Sequence, residues 1–102
     1  MSDTIELVRF RLQQDKTSAD WLKANEKIND WIKLQPGFRF RSLSETEDGE
    51  WLDMVYWESL DAAKMAGEKF GKEIGPSCEP LIDMTSVIVS HSKAHVMQRA
   101  TS

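Results

Sequence analysis

Residues 38–57, FRFRSLSETEDGEWLDMVYW, hold the pattern that decides the fold. Phe38 and Phe40 alternate with Arg39 and Arg41 before the ETEDGE segment, and the apolar run Trp51 to Trp57 follows it. Side chains of a strand point to opposite faces in turn, so each run reads as a β-strand. Asp48-Gly49 between them is a strong hairpin signal, because both central residues of a type I′ turn need positive φ. A two-residue turn there sets Ser44 against Asp53, Ser42 against Val55, Phe40 against Trp57, Arg41 against Tyr56 and Arg39 against Glu58. A longer loop shifts that register.

Working outward, IELVRFRL (residues 5–12) is rich in β-branched and aromatic residues and predicts strand one. Thr17 or Ser18 caps a helix in which Trp21, Ala24, Ile28, Trp31 and Ile32 recur at helical spacing, with Asp20 well placed against its positive end. Pro36-Gly37 cannot extend that helix and turns the chain into the hairpin. After the hairpin, Ser59 reads as an N-cap, and Ala63, Ala66, Gly67 and Phe70 give a second helix, Leu60 to Ile74, a narrow stripe of mostly small residues. Two glycines and two prolines in GKEIGPSCEP (71–80) predict a loop, and LIDMTSVIVS (81–90) predicts strand four. The order βαββαβ is that of an α+β domain with a four-stranded antiparallel sheet. We place the domain at residues 1–91 and a C-terminal extension at 92–102.

At 102 residues, 40% hydrophobic and 29% charged, the chain has the composition of one ordinary globular domain. Its net charge of −4, with both signs interspersed, offers no footprint for a phosphate backbone and disfavours nucleic-acid partners. The RNA-recognition motif shares the βαββαβ order, but the third strand, EWLDMVYW, lacks its aromatic signature. No apolar stretch nears the roughly 20 residues that span a bilayer, and MSDTIELVRF lacks the pattern of a leader, so a cytoplasmic protein with no membrane partner is expected. The single Cys78 agrees with a reducing compartment.

Two helices cover one face of a four-stranded sheet. Val8, Phe10, Phe38, Phe40, Val55 and Trp57 are expected on that face. Leu7, Leu43, Met54 and Tyr56 then fall on the other, too much apolar surface to leave in water, so the sheet is expected to pair with that of a second copy in a homodimer. Arg9, Arg11, Arg39 and Arg41 share that nominal face, with Glu58 and Asp83 as candidate partners at an interface rim.

The strand IELVRFRL, the QPGF turn and the run MVYWESLDAAKMAGEKF together resemble the dimeric α/β-barrel superfamily, and within it the antibiotic-biosynthesis-monooxygenase-like group. The resemblance covers about residues 5 to 90. It implies a ferredoxin-like monomer that pairs sheet to sheet, with a cavity between the sheet and its own helices. The haem-degrading members use an Asn on strand one and a His on helix two, and neither is present. The oxygenase members use Asn, Trp and Tyr around an aromatic pocket. Trp57 and Tyr56 match in type, while Asn25 and Asn29 both lie on helix one.

Phe10, Trp31, Phe40, Val55, Tyr56 and Phe70 are the candidate ligand-binding residues for a small planar aromatic compound, against the plainer reading that such aromatics fill the core. Asp53, Trp57 and His91 are the candidate catalytic residues. Asp53 interrupts an apolar strand, where desolvation favours a general base able to take a phenolic proton. An oxygenase without metal or flavin needs that step, because the deprotonated substrate must itself reduce oxygen. His91 has the intrinsic pKa of an acid–base group. His91 and His95 lack the further ligands of a metal site, and Cys78, between Pro76 and Pro80, lacks a base. No metal and no cofactor are expected. The leading expectation is a cofactor-independent monooxygenase-like enzyme acting on a phenol or quinol. The alternative is a non-catalytic ligand-binding or regulatory dimer of the same fold.

Overall fold

A computed structural model describes residues 2–101. Strand β1 (Thr4–Leu12) leads through helix α1 (Ser18–Ile32) to the hairpin β2 (Phe38–Glu45) and β3 (Trp51–Trp57). Helix α2 (Leu60–Glu73), the short helix α3 (Gly75–Cys78) and a 3₁₀ turn (Glu79–Leu81) then feed strand β4 (Ile82–Lys93). The four strands form one antiparallel sheet in the order β2-β3-β1-β4. This is the ferredoxin-like α+β arrangement.

The helices start where side chains satisfy their free N–H groups. Thr17 and Asp20 form a reciprocal capping box at α1, and Ser59 Oγ accepts from Ala62 N at α2. Both Thr17 hydrogen bonds, backbone first and then hydroxyl, hold the Asp20 carboxyl below its usual range. Of the segment expected as a loop, residues 75–80 lie in the short helix α3 and the 3₁₀ turn. Gly71 to Glu73 complete α2, and Pro76 sits in the first turn of α3, where its missing N–H costs nothing.

The hairpin departs from the expected register. Gly49 N donates to Thr46 O at 3.0 Å and Thr46 N donates to Glu50 O at 2.8 Å, so the loop spans Glu47 to Gly49, with Gly49 at φ +89°. This is a three-residue connection in which a tight turn is followed by a left-handed glycine. The extra residue moves β2 by one position: Arg41 opposes Val55, Ser42 opposes Met54, Leu43 opposes Asp53 and Phe40 opposes Tyr56. A one-residue slip sends every side chain to the other face. Phe40 and Leu43 therefore exchange their expected sides, and so does Arg41.

A second one-residue shift at the start of β2 restores the expected facing. Phe38 opposes Trp57, which leaves Arg39 as the extra residue of a β-bulge. Phe38 thus returns to the helix side and packs edge-on against Trp57, with ring centroids 5.9 Å apart. Arg39 bonds Asp3 rather than Glu58, while Arg9 and Arg11 pair with Glu50 and Asp48.

Two apolar clusters lie between the helices and the sheet. Phe10, Trp21, Ile28, Trp51, Ile74 and Cys78 form one, and Ile32, Val55, Trp57, Ala63 and Ala66 the other. Cross-strand pairing assigns Ile5, Leu7, Phe40, Leu52, Met54 and Tyr56 to the uncovered face, where Phe40 packs against Tyr56 at 5.9 Å.

Candidate functional site

The alternation of β1 and β3 builds one wall of a cavity. Glu6, Val8 and Phe10 on β1 oppose Val55, Asp53 and Trp51 on β3, and of these only Trp51 is not part of the cavity wall. Helices α1 and α2 form the roof with Trp21, Trp31 and Phe70, and β4 adds Val89 and His91. The cavity measures about 670 Å³, within the usual range for a small-molecule site. Its lining is mostly apolar, since Trp31 packs edge-on against Phe70 at 5.7 Å and Phe10 against Trp21 at 5.3 Å.

Two hydrogen-bonded polar groups lie in this surface. At β1 and β4, Glu6 and His91 are cross-strand neighbours, and His91 Nε2 lies 3.1 Å from Glu6 Oε2. Trp57 Nε1 donates to the other oxygen of Glu6 over a longer 3.4 Å. A carboxylate beside an imidazole fixes which nitrogen carries the hydrogen. With Nε2–H turned to Glu6, Nδ1 is the atom able to gain or lose a proton.

The second group centres on Arg41. Its Nε and Nη2 donate to Asp53 Oδ1 and Oδ2 at 3.0 and 2.8 Å. Nη2 also donates to Asn25 Oδ1 at 2.7 Å, and Nη1 to Asn29 Oδ1 at 2.9 Å. Only 7% of the Arg41 side chain and 17% of Asp53 remain exposed, so the pair is largely withdrawn from water. Cys78 is buried nearby, and burial pushes its thiol above the ordinary value.

Of the residues singled out from sequence, the cavity brings together Asp53, Trp57, His91, Phe10, Trp31, Val55 and Phe70. Phe40 and Tyr56 lie on the uncovered face, because the three-residue hairpin loop turns Phe40 away and Tyr56 sits between the inward Val55 and Trp57. Glu6, Asn25 and Asn29 were not singled out as site residues, and Arg41 was expected on the opposite face with the other three arginines. Glu6 is two positions before Val8 and so shares its face, and Asn25 falls on the helical stripe of Trp21, Ile28 and Ile32. Among the described residues, no cluster of three His, Cys, Asp or Glu side chains could hold a metal ion. Among the described residues, no helix is long and apolar enough to cross a membrane.

The ferredoxin-like fold is shared with solved structures of the antibiotic-biosynthesis-monooxygenase-like group. The chain aligns with SnoaB, a cofactor-independent oxygenase from Streptomyces nogalater, at a TM-score of 0.69 and 17% identity over 100% of both chains. It aligns with the ActVA-Orf6 monooxygenase of Streptomyces coelicolor, solved with nanaomycin D, at 0.75 and 15% over 98% and 94%. A Caulobacter crescentus protein provisionally assigned as an antibiotic biosynthesis monooxygenase gives 0.76 and 21% over 93% and 92%. No family model and no curated protein matches the sequence. At these identities the likeness establishes the fold alone.

Proposed function

We propose that the protein is a cofactor-independent monooxygenase acting on a small phenol or quinol held in this cavity. The observation that carries the reading is the His91–Glu6 pair in the wall of a mostly apolar pocket large enough for an aromatic compound. Nδ1 of His91 takes the phenolic proton, and the Glu6 carboxylate stabilises the resulting imidazolium. The phenolate is then the electron donor and dioxygen the acceptor. In balance, a phenol and one O₂ give a quinone and one water: a ring C–H is replaced by C=O, and the second oxygen atom leaves with two hydrogens. The shared fold of SnoaB supports the absence of a cofactor.

The base is His91 rather than Asp53, because both Asp53 oxygens already accept from Arg41. We assign Asp53, with Asn25 and Asn29, to holding Arg41 in the wall. Trp57 restrains Glu6 through its indole N–H. The same reading takes the working unit to be a homodimer joined through the uncovered sheet face.

Oxygen uptake by metal-free protein with a panel of phenols and quinols tests the proposal. We expect uptake with at least one compound and a fall of about a hundredfold or more in His91→Gln. No uptake across the panel, or full activity in His91→Gln, would overturn it.

A further inference from the structure

The cavity has one flank that the chain leaves open. Val89 opposes Val8 across β1 and β4 and so points to the helix side, yet it is 52% exposed, and Met84, also in the cavity wall, is 53% exposed. On α2 the same cavity is bordered by Gly67 and Gly71, one turn apart. Glycine inside a helix weakens it relative to alanine, and a fold has reason to keep one where φ is positive or another element approaches closely. Neither reason applies here. Gly67 and Gly71 are not among the glycines of positive φ, and a Cβ built at either would meet no atom within 4 Å. The two glycines therefore hold open a space that no described residue fills, in the same cavity as apolar β4 side chains that remain half uncovered. His91 lies two residues beyond Val89 and shares its strand face.

We infer that Gly67 and Gly71 are specificity-determining residues: they keep an apolar slot open between α2 and β4, in which a phenol held by its hydroxyl at His91 lays an apolar substituent along Val89 and Met84. The slot selects extended phenols over bare ones, because covering Val89 and Met84 takes apolar surface of protein and ligand out of water together. The inference rests on the cavity being the phenol site, and it does not depend on the oxygen chemistry.

Phenol and 4-phenylphenol share the hydroxyl ring and differ by one apolar ring, so the ratio of their Kd values, phenol over 4-phenylphenol, reads the slot. Calorimetry, with phenol measured by competition where it binds weakly, should show that ratio falling roughly tenfold in Gly67→Leu and in Gly71→Leu. If a leucine variant does not fold, Gly67→Met and Gly71→Met fill the same space with a more pliant side chain and should give the same fall. Gly67→Ala and Gly71→Ala, which restore helix propensity and meet no neighbour, should raise the urea midpoint of unfolding. An unchanged ratio with both compounds bound, a lower midpoint in the alanine variants, or binding of phenol alone to the unaltered protein overturns the role of the glycines and leaves the phenol cavity standing. Binding of neither compound to the unaltered protein overturns both.

Discussion

Arg41 and Asp53 are each tolerable on the cavity wall only because of the other. Removing one partner of a largely buried pair leaves an uncompensated charge and costs about 3 kcal/mol. Arg41→Met should therefore lower the unfolding free energy by about that amount, while Arg41→Met with Asp53→Leu should recover most of it. A double-mutant cycle in urea checks this, and additive losses would mean that the pair is not coupled. Gly37 and Gly49 both have positive φ, but they are not equivalent. A Cβ at Gly37 would lie 2.7 Å from Ala62 Cβ, whereas at Gly49 the nearest atom is the end of the Arg11 side chain at 3.8 Å. Gly49→Ala should cost about 1 kcal/mol, the price of the backbone conformation alone. Gly37→Ala should cost about 2 kcal/mol or more, since two packed elements must separate. Cys78 gives a pH signature. Its thiol is raised above the ordinary 9.0 by burial, so above that pH the unfolded chain loses a proton that the folded chain keeps. Stability is then full below about pH 9 and falls as pH rises beyond it. Cys78→Ala should flatten this alkaline decline, as read from thermal unfolding between pH 8 and 10.

Among the elements, strands and helices were legible because their periodicities are long and their caps explicit, as at Thr17 and Ser59. The hairpin register was not. Asp48-Gly49 satisfies a two-residue turn and the last positions of a three-residue loop equally well, and the choice is made by Thr46 bonding to Glu50 across the loop. That single residue decided which of Phe40 and Arg41 entered the cavity. The bulge at Arg39 carries no local signal either, since it is imposed by Phe38 returning to pack against Trp57. The polar site was half legible: Asp53, Trp57 and His91 stood out by residue type, but Glu6 acquires meaning only when β4 aligns beside β1.

For the molecule as a whole, one sheet face is covered by helices and the other presents Ile5, Leu7, Phe40, Leu52, Met54 and Tyr56. Phe40 is 55% exposed, and Ile88, opposite Arg9 on the same side, is also 55% exposed. Pairing of two copies through this face should give a dimer by sedimentation at micromolar concentration, and Met54→Lys should shift it to a monomer. A monomeric unaltered protein would refute that pairing. The bulge at Arg39 bears on this. By setting Phe38 and Phe40 on opposite sides of β2, it braces the neighbouring residues Trp57 and Tyr56 from opposite sides. The tryptophan that restrains Glu6 and the tyrosine on the uncovered face are thus consecutive links of one short piece of backbone. Drift in sequence at the start of β2 must satisfy two surfaces at once, so a lineage that retunes the pocket there also renegotiates the outer face of its sheet.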